Sequence, residues 1–309
     1  MFSDKISIVI PVYNSEDCLL ALNSAVEDAM QVFGDYELIL VNDKSTDESW
    51  KIIKQICSLN KKATGINLRK NFGQDSALLA GLRQSSGAWV VIMDDDLQHS
   101  PQDIAELYTT CKEGFDVCYA RFTGKQQRIW KNLGSWLNGK LSEKLLNKPQ
   151  DIYLSPFKIV KKEVVDEVVK FPGPFPYIDA TILGITSNLT QTEIMHYPRF
   201  KGKGNYDLLK SALVFVKHAT NYSIYPLRVV SVVGFCSALL SFFLGVFYFV
   251  QYFTSSNRVE GWITLVILLL FFGGMILMSL GLIGEYVGRS FLSINGKAQY
   301  IVEETVQIK

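Results

Sequence analysis

Two long segments toward the C-terminal end of the chain contain no charged residue, and this feature constrains the fold most strongly. The first extends from Val229 to Asn257 and the second from Gly261 to Gly284. A helix needs roughly 20 apolar residues to cross a lipid bilayer, so each segment is long enough. The alternative is a helical hairpin buried in the core of a soluble protein. We predict a two-helix transmembrane hairpin over residues 229–284.

The basic residues around the hairpin predict its orientation. Five of them precede or follow it, whereas the short connection holds one: Lys210, Lys217, Arg228, Arg289 and Lys297 against Arg258. By the positive-inside rule, the parts that precede and follow the hairpin lie in the cytoplasm. We therefore expect an integral protein of the inner (cytoplasmic) membrane with both termini cytoplasmic. Because the segments carry no internal charge that could serve a conduction path, the hairpin is predicted to be an anchor or a platform for a lipid.

The composition argues against several classes of function. The 309 residues include 31 Lys and Arg against 30 Asp and Glu, a balance that gives no sign of a nucleic-acid partner. The five cysteines are scattered, which favours reduced thiols over a disulfide framework or a zinc site. No G-x-x-x-x-G-K-[ST] motif is present, and no G-x-G-x-x-G follows the first predicted strand, so P-loop and dinucleotide sites are disfavoured.

Residues 1–205 alternate short β-branched runs with amphipathic helical segments. The runs "KISIVIPVY", "YELILVND", "ATGINLRKN" and "AWVVIMDD" are typical of buried strands. Such alternation predicts an α/β domain with a doubly wound, mostly parallel sheet. Ligands of these sheets bind beyond the carboxyl ends of the strands. Polar groups of four segments are expected to meet there: residues 11–14, 42–43, 69–71 and 94–96.

Two further segments complete the predicted organisation. Residues 206–228 combine apolar residues at helical spacing with aromatic and basic residues, which is typical of an amphipathic helix at the membrane interface. The alternative is a helix packed against the sheet. Residues 285–309 are predicted to be a cytoplasmic C-terminal tail.

Three consecutive aspartates follow the fourth predicted strand. In extended backbone, alternate residues face the same way, so Asp94, Asp96 and Gln98 form one set of oxygen ligands. Such ligands suit a hard cation, Mg²⁺ or Mn²⁺, that shares the phosphates of a ligand. Asp95 is expected to face a ribose or a backbone amide instead. A D-x-D pattern alone is also typical of a solvated turn, but its position at a strand end favours the metal site.

Four segments resemble the successive motifs of family 2 glycosyltransferases with the GT-A fold: "SIVIPVYNSE", "LILVNDKSTDES", "NFGQDSALLAGL" and "VVIMDDDLQHSP". The ending "DLQHSP", the hairpin and the tail "GLIGEYVGRSFLSINGKAQYIVEE" resemble one branch, the polyprenyl-phosphate glycosyltransferases, which includes dolichol-phosphate mannose synthases and bactoprenol glucosyltransferases. The resemblance implies transfer of a sugar, glucose from UDP-glucose, to undecaprenyl (bactoprenol) phosphate with inversion.

The resemblance also implies residue roles. Asp94, Asp96 and Gln98 would hold the metal. The nucleotide side of the site comprises Pro11, Tyr13, Asn14, Asp43, Asp95 and Arg121. Arg121 corresponds to an arginine near the diphosphate. This chain departs from the family pattern at Asn42, where an acid is usual, and at Lys44, where a small residue is usual.

The acceptor side of the predicted site lies in the second half of the domain. Arg128 and Ser135 match positions that in the family meet the lipid phosphate; the alternative for either is an ordinary solvated helix face. Asp179 would orient the acceptor or act as a weak base; the alternative is an acid that complements a helix dipole. Arg199 and Lys203 belong to a glycine-containing loop, "HYPRFKGKGN", that would fold over phosphates.

Two other functions are compatible with parts of the sequence. A non-catalytic membrane partner with a nucleotide-sugar fold predicts loss of the metal ligands, yet all three are present. A processive polysaccharide synthase predicts more membrane spans and an intact Q-x-x-R-W motif, whereas Ile129 separates Arg128 from Trp130. Small residues in the second apolar segment, such as Gly281 and Gly284, could pack against copies of themselves in a homo-oligomer.

Overall fold

The computed structural model describes residues 2–123, 149, 152–195, 225–254 and 261–307. The chain divides into two compact units. The first comprises Met1–Tyr206 together with Gly296–Lys309, and the second comprises Asp207–Asn295. The first unit contains the sheet and its helices, and the second contains two long helices.

Eight strands of the described residues form one sheet in the first unit, in the order β7-β5-β6-β4-β1-β2-β3-β8. Their bounds are β1 Ile6–Val12, β2 Tyr36–Asn42, β3 Ala63–Leu68, β4 Trp89–Ile92, β5 Val117–Thr123, β6 Lys158–Lys161, β7 Leu189–Met195 and β8 Val302–Gln307. The pairs β1–β2, β1–β4, β2–β3 and β5–β7 are parallel, whereas β4–β6, β5–β6 and β3–β8 are antiparallel. The predicted α/β class is confirmed, but the sheet is mixed, because β6 lies antiparallel between β4 and β5.

Six helices of the described residues cover the sheet. Their bounds are α1 Leu19–Ala29, α2 Ser49–Leu59, α3 Gln74–Gln84, α4 Ile104–Lys112, α5 Lys162–Val168 and α6 Ile178–Ile185, with short 3-10 turns at Met30–Val32 and Pro101–Asp103. Every residue of β1, β3 and β4 is buried, as expected for strands with helices on both faces. Ile8 packs with α1 and α2 on one face, and Val9 packs with α3 on the other, so the strand alternation divides the core into two layers.

Close approach of α3 to the sheet depends on Gly81. A Cβ added at this glycine would lie 2.4 Å from Cγ1 of Val9 and 3.0 Å from Cγ2 of Val41. The helix therefore rests directly on β1 and β2. This contact fixes α3, whose first residue is Gln74, at the carboxyl edge of the sheet.

The C-terminal segment returns to the first unit as a strand that the sequence analysis did not predict. β8 pairs with β3 in antiparallel register, from Thr64 opposite Gln307 to Leu68 opposite Val302. Ahead of the strand, Gln299 Nε2 donates hydrogen bonds of 2.7 Å to the carbonyl oxygens of Phe171 and Gly173. The segment that we treated as a tail is thus a structural part of the α/β unit.

The second unit contains α7, Tyr225–Thr254, and α8, Trp262–Ile294. By length and composition, the stretch Phe271–Ile294 of α8 is apolar enough to cross a membrane. Among the described residues of α7, the apolar stretch found is Val230–Leu244. Two helices are therefore present where a hairpin was predicted, but only one candidate span is found among the described residues, and it overlaps the predicted segment 261–284. The prediction of two spans is not confirmed and stays a prediction.

Candidate active site

A cavity of about 310 Å³ opens where the parallel strands β1, β2 and β4 end. Its walls are formed by the loops that follow these strands and by the first turn of α3. The lining residues are Pro11, Val12, Tyr13, Asp43, Asn71, Gly73, Gln74, Asp94, Asp95 and Asp96. Six of the predicted site residues are therefore brought together here: Pro11, Tyr13, Asp43, Asp94, Asp95 and Asp96. The location agrees with the sequence prediction, because loops after neighbouring parallel strands meet at one edge.

Asp95 joins the β4 loop to the β1 loop. Its Oδ2 atom accepts a hydrogen bond of 3.3 Å from the backbone N–H of Tyr13 and another from the hydroxyl of Ser15. The Sγ atom of Cys18 lies 3.0 Å from the Asp95 carbonyl oxygen. The sequence predicted that Asp95 faces a ribose or a backbone amide, and in the structure it contacts a backbone amide. Asp95 therefore holds the Tyr13 loop against the acidic loop.

Asp94 and Asp96 do not continue the strand in the extended conformation that was assumed from the sequence. β4 ends at Ile92, and Leu97 has a φ of 55°, so the chain turns through the aspartates and all three line the cavity. Asp94 Oδ1 accepts a hydrogen bond of 2.8 Å from Gln74 Nε2. Gln98 is not among the lining residues that are described; its backbone N–H donates to Asp96 Oδ1 at 3.1 Å.

The acidic loop concentrates negative charge in a buried place. Burial, together with the neighbouring carboxylates of Asp96 and Asp95, raises the pKa of Asp94 to about 7, while Lys158 and the hydrogen bond from Gln74 act in the opposite direction. Burial and like charges both disfavour the ionised form. The cavity therefore has a deficit of positive charge that a bound cation would fill.

Three non-glycine residues with positive φ lie at the ends of the strands that form the cavity. They are Asn14 after β1 (φ 53°), Lys44 after β2 (φ 56°) and Leu97 after β4 (φ 55°). Asparagine tolerates this conformation, whereas a lysine or leucine side chain costs roughly 1–2 kcal/mol there. Such strain tends to occur at functional sites, where surrounding contacts fix the backbone.

Asp43 shapes the loop ahead of α3. Its two carboxylate oxygens accept the backbone N–H groups of Phe72 (2.7 Å) and Gly73 (2.8 Å). Burial raises the pKa of Asp43, and these two hydrogen bonds oppose the shift. Gly73 has a φ of 93°, a conformation that favours glycine. Asp43 thus fixes the turn that places Gln74 beside Asp94.

Asp179, at the start of α6, lies in a buried ion pair. The Lys158 ammonium contacts Asp179 Oδ1, and Tyr119 Oη donates to the same oxygen at 3.0 Å. The side chains of Lys158 and Asp179 are 3% and 15% exposed. Because two donors occupy this carboxylate oxygen, the geometry favours the orienting interpretation of Asp179 over that of a base.

The remaining predicted residues are outside the cavity or outside the described residues. Arg121, in β5, faces Glu193 of β7, with 3.9 Å between Nη1 and Oε1. The backbone N–H of Asn14 donates to Ser45 Oγ, and Asn14 Oδ1 accepts from the backbone N–H of Thr46. Four predicted acceptor-side residues lie in segments that the structure does not describe: Arg128, Ser135, Arg199 and Lys203. The same holds for the predicted interfacial segment up to residue 224.

The residues of the cavity fit a hard cation that keeps part of its water shell. Among the described residues, no group of three or more His, Cys, Asp or Glu side chains is arranged as a complete metal cage. Asp94 and Asp96 supply carboxylate oxygens on one wall. Mg²⁺ and related ions are commonly held by one or two carboxylates, with waters and substrate phosphates completing the coordination.

Three residues in supporting roles are not among the predicted site residues. Gln74 contacts Asp94, Ser15 contacts Asp95, and Lys158 contacts Asp179. The sequence could have indicated Gln74 and Ser15, since both directly follow strand-end loops within the family-like motifs. No local signal identifies the partner of Lys158, because its contact with Asp179 depends on how β6 and α6 pack.

Comparison with solved structures defines the class of fold. Glucosyl-3-phosphoglycerate synthase from Mycobacterium tuberculosis, in complex with Mn²⁺, UDP and glucosyl-3-phosphoglycerate, matches with a TM-score of 0.52. The match covers 70% of this chain and 78% of that chain at 18% sequence identity. The α/β unit therefore has a GT-A-like fold.

The family follows from sequence comparison. Residues 7–169 match the model of glycosyl transferase family 2, and residues 225–290 match that of the GtrB C-terminal hairpin. The chain belongs to glycosyl transferase family 2.

Named relatives match along nearly their whole length. An undecaprenyl-phosphate 4-deoxy-4-formamido-L-arabinose transferase of Proteus mirabilis is 29% identical, over 99% of this chain and 95% of the relative. An uncharacterized glycosyltransferase of Synechocystis is 30% identical, with coverages of 97% and 95%. The SfII prophage-derived bactoprenol glucosyl transferase of Shigella flexneri is 26% identical, with coverages of 97% and 98%.

Proposed function

We propose that the chain transfers glucose from UDP-glucose to the phosphate of undecaprenyl (bactoprenol) phosphate, with inversion at the anomeric carbon, at the cytoplasmic face of the membrane. The observation that carries the proposal is the cavity at the strand ends, where three adjacent carboxylates face the Tyr13 loop. The relatives named for undecaprenyl phosphate and bactoprenol support the lipid acceptor. The candidate span in α8 supports access to a lipid.

The donor is proposed to bind with its base near Tyr13 and its diphosphate near the acidic loop. Tyr13 lines the cavity and is 51% exposed, so its ring can stack on a base. Asp94 and Asp96 would hold Mg²⁺ or Mn²⁺, which supplies Lewis-acid stabilisation of the diphosphate leaving group. The Mn²⁺ and UDP of the M. tuberculosis synthase support this assignment.

The chain's own residues orient the reactants in this proposal. Gln74 fixes one oxygen of Asp94, and Asp95 fixes the Tyr13 loop. The acceptor is a phosphate oxygen that is already anionic at neutral pH, so it needs no strong base. Asp179, held by Lys158, is proposed to orient the acceptor. On the acceptor side, the positive charge for the phosphate is proposed to come from Arg128, Arg199 and Lys203, and Ser135 is proposed to donate a hydrogen bond. Arg121 is proposed to lie near the diphosphate of the donor.

A second sugar has specific support. The 4-deoxy-4-formamido-L-arabinose transferase of P. mirabilis is 29% identical to this chain, slightly more than the 26% of the glucosyl transferase. The lipid acceptor and the strand-end cavity are common to both proposals. The two sugars differ in the substituent at carbon 4 and in size, a pentose against a hexose, so a donor panel distinguishes them.

A transfer assay tests the proposed function. The detergent-solubilised chain is incubated with undecaprenyl phosphate and UDP-glucose, UDP-4-deoxy-4-formamido-L-arabinose or GDP-mannose, with and without EDTA. We expect transfer from UDP-glucose that EDTA abolishes. Full activity in EDTA contradicts the metal assignment, and absence of transfer from every donor supports the non-catalytic alternative. Products longer than one sugar support the processive alternative.

A variant pair tests the residue assignment in the same assay. We expect Asp96→Asn to lower transfer by about 10²-fold or more, since it removes a carboxylate that would hold the cation at the diphosphate. Asp28→Asn, which neutralises an exposed aspartate on α1, is the matched control. Retained activity in Asp96→Asn contradicts the assignment.

A further inference from the structure

A chain of polar contacts begins at Glu303 in β8. The Oε2 atom of Glu303 accepts hydrogen bonds from Lys44 Nζ (2.6 Å) and Asn67 Nδ2 (3.2 Å). Asn67 Oδ1 in turn accepts from Asn42 Nδ2 at 2.7 Å. Asn42 and Asn67 are 1% and 6% exposed. Because buried amides keep the partners that satisfy them, this arrangement links the C-terminal strand rigidly to the end of β2.

The same chain of contacts continues into the loops of the cavity. Asn42 Oδ1 accepts from the hydroxyl of Ser45 at 2.5 Å, and Ser45 Oγ accepts from the backbone N–H of Asn14 at 3.0 Å. Asn14 directly follows Tyr13, which lines the cavity. Asn14 Oδ1 also accepts from the backbone N–H of Thr46 at 2.8 Å. The β1 and β2 loops are therefore held by a network that has Glu303 at its outer end.

Glu303 also contacts the β2 loop directly, through the side chain of Lys44. Lys44 has a φ of 56° between Asp43 and Ser45, a conformation that a lysine rarely adopts without support. Its ammonium meets Glu303 while both side chains remain partly exposed, 44% and 34%. Ion pairs with this exposure contribute little to overall stability. The contact is therefore better explained by its effect on the β2 loop than by stability.

We propose that Glu303 is a positioning residue of the donor site, which fixes the β1 and β2 loops for the nucleoside part of the donor. The inference rests on the proposed function, namely that this cavity binds a nucleoside diphosphate sugar. It makes β8 a part of the donor site, although no residue of β8 lines the described cavity.

The neighbouring residue in β8 provides a matched control. Glu304 contacts Lys54 and Trp50 of α2 at 3.1 and 3.0 Å, and its side chain is 43% exposed. Glu304→Gln therefore removes the same charge from the same strand and one comparable ion pair. Its partners belong to α2 rather than to the cavity loops. A role of both glutamates in docking β8 predicts equal effects of the two substitutions.

The test measures binding of a nucleoside diphosphate to the full-length chain in detergent by titration calorimetry. The probe is UDP, or whichever of UDP, GDP and CDP the wild type binds most tightly. We expect Glu303→Gln to raise Kd and the donor KM roughly five- to tenfold, a typical coupling between contacting residues, with kcat changed less than twofold. Glu304→Gln is expected to leave Kd within about twofold of the wild type.

A glycine at position 44 adds a rescue experiment. Glycine adopts positive φ without support, so Lys44→Gly in the Glu303→Gln background is expected to restore part of the lost affinity. Failure to restore any affinity overturns the route through Lys44. Equal Kd values for Glu303→Gln and Glu304→Gln overturn the proposal while the proposed function stands. A wild type that binds no nucleoside diphosphate overturns both.

Discussion

At the scale of single residues, the site depends on charges whose partners are far away in sequence. The three aspartates of the acidic loop could be predicted because they are adjacent and follow an apolar strand. The ion pair of Lys158 with Asp179 could not, because it forms only when β6 and α6 pack together. Local sequence gives residue type and spacing, whereas burial and pairing come from tertiary contacts.

Lys158 is expected to be essential for stability. Lys158→Met removes the ammonium from buried Asp179 and leaves an uncompensated carboxylate, which costs roughly 3–5 kcal/mol. We expect the Tm of the detergent-solubilised chain to fall by roughly 6–20 °C. The double substitution Lys158→Met with Asp179→Asn should recover much of this loss, because it removes the stranded charge.

Two controls accompany this measurement. Lys161→Met removes a half-exposed lysine that pairs with Glu163, and we expect no measurable change in Tm. If Lys158→Met unfolds at the temperature of Lys161→Met, the buried pair contributes nothing and the prediction is wrong.

Asp75 predicts a specific pH dependence of stability. Burial raises its pKa from 3.8 to about 6, while its Oδ1 accepts from the backbone N–H of Ile178. The folded state therefore binds the proton more tightly than the unfolded state, and stability falls as pH rises through the folded pKa. Between pH 5 and 8 this one group accounts for a loss of about 1.4 kcal/mol.

The variant Asp75→Asn isolates this contribution. Asparagine keeps the acceptor for Ile178 but does not titrate. We expect the Tm of the wild type to fall from pH 5 to pH 8 by roughly 3–6 °C more than that of the variant, measured in EDTA. Parallel Tm curves for the two proteins would contradict the raised pKa.

At the scale of elements, β1 to β4 and their helices could be predicted, whereas β8 could not. The first four strands are short, largely apolar segments, and strand-end loops meet at an edge by geometry alone. In the β8 sequence "VEETVQ", four of the six residues are polar and five are exposed. Its partner, β3, lies more than two hundred residues earlier, so no local pattern indicates the pairing.

The contact of α3 with the sheet gives a prediction at this scale. Gly81→Ala gains helix propensity of about 1 kcal/mol, but its Cβ would overlap Val9, and such overpacking costs roughly 1–3 kcal/mol. We expect a net loss of Tm. Gly184→Ala in α6 meets no atom within 4 Å and should raise Tm. A higher Tm for Gly81→Ala would show that α3 can move away from the sheet.

At the scale of the whole molecule, the proposed topology places residues 255–260 on the non-cytoplasmic side of the inner membrane and the α/β unit on the cytoplasmic side. A membrane-impermeant maleimide is applied to intact cells that produce Asn257→Cys or Leu59→Cys. Leu59 is 77% exposed on the α/β unit. We expect Asn257→Cys to react in intact cells and Leu59→Cys only after permeabilisation.

The native cysteines set the background of this experiment. Four are buried, and Cys236 lies exposed on α7 within the uncharged segment, so the parent chain provides the baseline. Labelling of Leu59→Cys in intact cells would reverse the topology. Absence of labelling at Asn257→Cys both before and after permeabilisation would contradict an exposed connection.

The position of β8 also has a consequence for the order of folding. During synthesis, β1, β2, β3 and β4 emerge long before α7 and α8, and domains generally fold as they emerge. The strand that pairs with the outer edge of β3 follows α8 in the chain. The sheet is therefore completed only after both long helices have been made. Until then the edge of β3 is open, and Lys44 and Asn67 lack their glutamate partner. A chain that stalls after α8 would hold an acidic cavity with unsupported loops, so maturation of the proposed donor site would be coupled to synthesis of the helices.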